Sequence, residues 1–153
     1  MTSIALALHA LAAVIWVGGM FAIYICLRPA LGALETPADR VRIVAATFGK
    51  FFPWVWLSIV VLFASGYLMV FTTQGGFAQT GMHVHIMQLI AWIMVVLFAV
   101  LYWGPWKHLR AAVAAQVWPK AAPQIDRIRK IIAVNLPLGL IVVAIGASGR
   151  WWV

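Results

Sequence analysis

Four apolar segments dominate this chain, and each is long enough to cross a membrane as a helix. A membrane span needs roughly 20 mainly apolar residues, because only a helix satisfies its own backbone polar groups within lipid. The chain is 65% hydrophobic and 9% charged over 153 residues, more apolar than a soluble domain of this size can bury. The sequence therefore predicts an all-α integral membrane four-helix bundle that forms one domain over residues 1–153. The predicted spans cover about residues 4–27, 53–73, 83–104 and 129–149.

The basic residues predict how these spans are oriented. Ten of the eleven Lys and Arg residues lie in or beside connectors 28–50 and 105–130, while connector 74–82 carries no charge. Cytoplasmic connectors carry an excess of Lys and Arg, so we expect both basic connectors inside and both termini outside. This indicates a multi-pass protein of the bacterial inner (plasma) membrane. The net charge of +8 then reflects topology, and we expect membrane lipid, not nucleic acid, as the partner.

The two basic connectors have local structure of their own in this interpretation. We expect residues 37–50 to form a short interfacial helix, with Asp39 early and Lys50 late as the helix dipole favours. Pro119 and Pro123 are expected to break the second connector.

Three of the four histidines fall at one end of the predicted bundle. His9 lies in the first span, and His83 and His85 open the third, so alternating spans bring them to one depth. Ionisable side chains within a membrane are costly and indicate a site with specific partners. His83 and His85 point nearly opposite ways around a helix. Because Gln88 shares the face of His85, we expect His85 to face the bundle interior and His83 to lie at the rim.

Matched histidines on facing helices suggest a haem. Bis-histidine ligation of haem b needs one imidazole on each side of the iron, and we interpret His9 and His85 as these ligands. The propionates would lie near the outer surface, within reach of His83 and Arg150. The leading hypothesis is therefore a haem-b redox protein that passes electrons or oxidises a porphyrin-like or quinone-like substrate. Other residues expected near the haem, from the helical faces that they share, are Trp16, Gln88 and Asn135.

Copper is the alternative ligand. Thioether and imidazole groups suit copper, and they are concentrated where the third span begins. A transport path would also need ligands deeper in the membrane, and the methionines at 20 and 94 look isolated in the sequence. A structural or assembly subunit is the third hypothesis, and catalytic residues, enzyme activity and self-association stay open. The alternative copper ligands are Met82, His83, His85 and Met87.

Several motifs resemble those of the CopD-like membrane proteins over nearly the whole chain. The first span reads His9-Ala-Leu-Ala-Ala-Val-Ile-Trp16-Val-Gly-Gly and ends with Arg28-Pro29. The third begins Met82-His83-Val84-His85 and ends Tyr102-Trp103-Gly-Pro105-Trp106, and the fourth contains Asn135-Leu-Pro-Leu-Gly139. This resemblance implies copper handling across the inner membrane.

A more distant similarity connects the chain with the HemJ-type protoporphyrinogen oxidases, four-helix membrane proteins that bind haem b. His9 matches their helix-one histidine, and Asn135-Leu-Pro137 corresponds to part of their Phe-Asn-Glu-x-Pro motif. Their Leu-His-x-Lys motif corresponds to Met82-His83-Val84-His85, with His85 in place of the lysine. The glutamate of the fourth helix is absent. The resemblance therefore implies a haem site, with an imidazole at position 85, more than it implies the oxidase activity.

Overall fold

Four long helices make up the computed structural model, which describes residues 2–149. Each is long and apolar enough to cross a membrane, and the described residues contain no β-strand. The predicted all-α fold class, with four helices long and apolar enough to span a membrane, is thus confirmed. Nothing in the packing tells which side each helix end faces, so the outward position of both termini stays a prediction. The helices are α1 (Ser3–Ala33), α2 (Pro37–Thr73), α3 (Met82–Ala114) and α4 (Trp118–Ser148).

The two ends of the bundle differ in chemistry. One end holds the turns at 34–36 and 115–117 together with the flanking Lys and Arg residues, and we call it the basic end. The other end holds the loop 74–81 and the three clustered histidines, and we call it the histidine end. The helices are longer than the predicted spans mainly at the basic end, where their charged turns continue past the apolar segments.

The connectors are more helical than predicted. Residues 37–50 do not form a separate interfacial helix but are the first turns of α2, which continues through Pro53. Pro119 lies in the first turn of α4, where proline is tolerated, and Pro123 lies inside the helix. The chain turns instead near Gln116, whose φ is 56°. Pro53 and Pro123, inside their helices, each remove only one backbone hydrogen bond, and neighbouring helices in a bundle stabilise such segments.

Three π-helical stretches widen the helices locally. In α1 the stretch Ala22–Leu27 precedes Pro29, and in α3 the stretch Tyr102–Trp106 contains Pro105. A proline ring collides with the carbonyl four residues earlier, so the turn before it opens. The third stretch, Val14–Gly18, contains no proline and carries a buried tryptophan. Such stretches are frequent at functional sites.

Packing pairs the helices unequally. α1 lies along α2, α3 lies along α4, and α4 also contacts α1 and α2. The space between α2 and α3 is filled by aromatic rings, which keep those two backbones further apart. The ring centroids of Phe52 and Trp56 lie 5.4 and 5.2 Å from that of Phe98. The α3–α4 interface is therefore a seam of closely packed backbones, and the α2–α3 interface is a layer of rings.

Candidate metal site at the histidine end

His9 lies on the inward face of α1, as the helical period predicts. Its imidazole is half-buried, and its Nδ1 lies 2.9 Å from Oγ of Ser65 on α2. The Ser65 hydroxyl donates to the Val61 carbonyl at 2.5 Å, so it can accept a hydrogen bond from a protonated Nδ1. His9 is thus held in the α1–α2 interface. The other inward residues of α1 are buried, namely Ala5, Ala12, Trp16 and Met20.

His85 does not face the bundle interior, so that prediction is wrong. The side chain is exposed, and its Nε2 lies 3.1 Å from Oγ1 of Thr80 in the loop 74–81. Its ring centroid is 6.3 Å from that of Phe77 in the same loop. A membrane helix is apolar on every side, so hydrophobicity does not mark the buried face. Three residues on the His85 side of α3 are likewise exposed, namely Leu89, Trp92 and Val96.

His83 begins the inward face of α3 instead. The ring is half-buried between two glycines: a Cβ built on Gly81 would lie 2.8 Å from Nδ1, and one on Gly149 would overlap the ring. Only glycine leaves room for the imidazole against the end of α4. The inward face continues with residues at helical spacing that are buried deeper in the bundle, namely Met94, Phe98 and Leu101.

Two methionines follow His83 along the same face of α3. A Cβ built on Gly146 would lie 3.0 Å from Cε of Met87, and one on Gly139 would lie 3.1 Å from Cε of Met94. Both the methionines and the glycines are seven residues apart, so the two contacts repeat along the α3–α4 seam. Two turns of helix separate the methionines by about 10.5 Å. We call His83, Met87 and Met94 the soft-ligand stripe.

Asn135, at the inner end of the stripe, carries a polar atom without a partner among the described residues. Asn135 is 2% exposed, and its Nδ2 donates to the Met94 carbonyl at 3.4 Å. Within residues 2–149, neither Oδ1 of Asn135 nor the buried Nε1 of Trp16 has a hydrogen-bond partner. A buried unpaired polar atom costs about 1–3 kcal/mol. Such atoms in a native protein call for an explanation: a bound water would satisfy either atom, and a bound cation would satisfy the Asn135 oxygen.

The predicted bis-histidine haem does not fit this geometry. His9 lies in the α1–α2 interface, whereas His85 is exposed beside the loop 74–81, so the two imidazoles do not face each other across one interface. Gln88, expected near the haem, donates from Nε2 to the Tyr67 hydroxyl at 2.8 Å. Arg150, the expected propionate partner, lies outside the described residues.

The predicted copper ligands divide into two pairs. Met82 is 71% exposed and lies on the outward side with His85, while His83 and Met87 face α4. Among residues 2–149 there is no group of three or more His, Cys, Asp or Glu side chains that could hold a metal. The soft-ligand stripe therefore depends on thioethers. Sequence reasoning passed over Met94, although its spacing from Met87 matches that of Gly139 from Gly146.

Four helices of spanning length, with imidazole and thioether side chains along the α3–α4 seam, are typical of a multi-pass membrane protein that handles a soft metal ion. A family model described as copper resistance protein D matches residues 45–148, about two thirds of the chain, and the chain belongs to this CopD family. CopD is a family of the inner membrane, so the predicted localisation is confirmed. No curated protein and no solved structure matches the chain.

The family match bears unequally on the two predicted ligands. It covers α3, α4 and the soft-ligand stripe, while His9 lies before the matched range. It supports the predicted resemblance to CopD and an association with copper. It gives no support to haem b or to the likeness with HemJ-type oxidases.

Proposed function

We propose that the protein carries copper, as Cu(I), into the membrane along the soft-ligand stripe. The observation that carries this proposal is the repeated placement of Met87 and Met94 against glycines of α4, below His83. Thioether and imidazole ligands select Cu(I) over the harder cations of the cell. Membership of a copper-resistance family supports copper as the cargo.

Entry would begin at the histidine end. Met82 and His85 are exposed and offer a thioether and an imidazole to the surrounding solution. His83 and Met87, four residues apart, share the inward face of α3, so their side chains can reach one ion. An ion would thus pass from Met82 and His85 to His83 and Met87.

Deeper movement would use Met94 and its neighbour. Met94 lies about 10.5 Å beyond Met87 along the helix, so one ion cannot bind both thioethers at once. Asn135 donates a hydrogen bond to the Met94 backbone carbonyl. Its unpaired Oδ1 would add a weak oxygen ligand beside the single thioether of Met94. Transport requires sites that bind an ion weakly enough to release it. A site made of the Met94 thioether and the Asn135 oxygen would bind an ion weakly enough to release it.

Packing alone offers a competing explanation, because methionine fills irregular gaps between helices. Leucine separates the two explanations, since it keeps a similar volume and removes the sulfur. We therefore expect Met87→Leu to fold normally but to weaken Cu(I) binding by about tenfold or more, as does His83→Ala. Cu(I) titration of the purified, metal-free protein against a competing chelator measures this affinity.

Two variants serve as matched controls. Met69→Leu removes a half-buried thioether on α2, and His108→Ala removes an imidazole at the basic end, where its Nδ1 lies 2.9 Å from the Gly104 carbonyl. Both should keep wild-type affinity. In vesicles, Met94→Leu should slow copper uptake while surface binding persists. Unchanged affinity in both Met87→Leu and His83→Ala would contradict the proposal, as would a Soret band of haem in the purified protein.

A further inference from the structure

A cavity of about 260 Å³ opens between α1, α2 and α4 at the basic end, at the opposite end of the bundle from His9, His83 and His85. Its wall is largely hydrocarbon and aromatic, and its volume has room for part of an acyl chain. Charged side chains line it only where the helices reach the predicted membrane surface. Its apolar lining includes Ile23, Leu27, Phe48, Ile125 and Ile132.

Two arginines and one aspartate are the charged residues of this cavity. Asp126 forms ion pairs with Arg129 and, at 2.9 Å, with Lys130. The guanidinium of Arg28 lies 5.6 Å from the centre of the Tyr24 ring, and it interacts electrostatically with the Asp126 carboxylate. Arg28 and Arg129 against the single Asp126 carboxylate give the cavity lining a net charge of +1, and Lys130, outside the lining, adds a further positive charge beside it.

The depth of Arg28 matches a lipid headgroup. It lies 19 residues after His9 in the same helix, or about 28 Å along the axis, close to the thickness of the hydrocarbon core. The predicted spans place His9 just inside one membrane surface, and at that depth Arg28 would reach the other. Basic pockets between membrane helices at this level recognise anionic headgroups.

We propose that this cavity binds one anionic phospholipid from the leaflet at the basic end. Arg28 and Arg129 would hold the phosphate by charge-assisted hydrogen bonds, and an acyl chain would lie against Leu27, Phe48 and Ile132. A neutral lipid or a quinone would leave the excess positive charge without a counter-ion. The site is independent of the copper path, because it shares no residue with the soft-ligand stripe.

Native mass spectrometry of the detergent-solubilised protein tests this with phosphatidylglycerol and phosphatidylcholine as probes. Wild type should retain one phosphatidylglycerol at a concentration about tenfold or more below that needed for phosphatidylcholine. The double variant Arg28→Gln/Arg129→Gln should lose this preference. The control Lys50→Gln/Lys107→Gln removes the same charge from exposed positions outside the cavity and should keep it.

A second variant tests the cavity without changing its charge. Ala122 is exposed and lines the cavity, so Ala122→Trp should fill it and weaken binding of phosphatidylglycerol while all cations remain. Excess inorganic phosphate should not displace the lipid. Equal binding of the two lipids by wild type would overturn the proposal. So would displacement by phosphate together with wild-type binding in Ala122→Trp, since that result describes an anion site without a lipid chain.

Discussion

At the scale of single residues, the contact between His9 and Ser65 ties α1 to α2 within the membrane. The two atoms lie 2.9 Å apart, and the His9 ring packs against Gly66, where an added Cβ would be in ordinary van der Waals contact at 3.4 Å from Cε1. Hydrogen bonds between membrane helices contribute modestly, because the separated helices also find partners. The histidine therefore has a structural role whether or not it meets a ligand.

A double-mutant cycle measures this contact. We expect His9→Ala and Ser65→Ala each to lower the free energy of unfolding, with a coupling of about 0.6–1.7 kcal/mol between them. Unfolding in mixed micelles provides the values. Ser58 is 2% exposed on the same helix, seven residues earlier, and Ser58→Ala should show no coupling to His9→Ala. Equal coupling for both serines would show that the hydrogen bond contributes nothing specific.

At the scale of the helix, the inward face could be predicted for α1 but not for α3. In α1 the small residues Ala5 and Ala12 stand in line with His9 and Trp16, and a face of small residues is where membrane helices approach. In α3 large apolar residues lie on every face, so the sequence offers only the polar Gln88 as a marker of the inward side, and that marker is misleading. The informative residues were instead the glycines of α4, which only the three-dimensional register connects to His83, Met87 and Met94.

Gly139 determines how closely α4 approaches its neighbours. A Cβ there would lie 2.9 Å from Cγ2 of Val17 and 3.1 Å from Cε of Met94. Valine is stiff at χ1, so it cannot move aside easily, and Gly139→Ala should lower the free energy of unfolding by about 1–2 kcal/mol.

The matched control is Gly104→Ala, because a Cβ there meets no atom within 4 Å. Alanine favours the helix over glycine, so this variant should be neutral or more stable by up to about 1 kcal/mol. Thermal unfolding in one detergent compares the two. Equal effects would mean that the α4 contact is looser than the geometry indicates.

At the scale of the whole molecule, the charge distribution predicts the orientation that the packing leaves open. The basic end carries ten of the eleven Lys and Arg residues, so it should face the cytoplasm. A phosphatase reporter, which is active only outside the cytoplasm, should be active when fused at the carboxyl end and silent in the turn at 115–117. The reverse pattern would refute this orientation.

The regular register of α3 on α4 would affect how fast an ion moves along the soft-ligand stripe. His83, Met87 and Met94 each pack against a glycine, so sliding one helix past the other would break all three contacts together. Passage of an ion would then depend on rotation of the methionine side chains about their own bonds. Helix register shifts take microseconds to milliseconds, and rotation of a side chain about its own bonds does not require one. The register of α3 on α4 would stay fixed while the methionine side chains rotate. A covalent crosslink between the two helices would therefore leave the passage of ions unchanged.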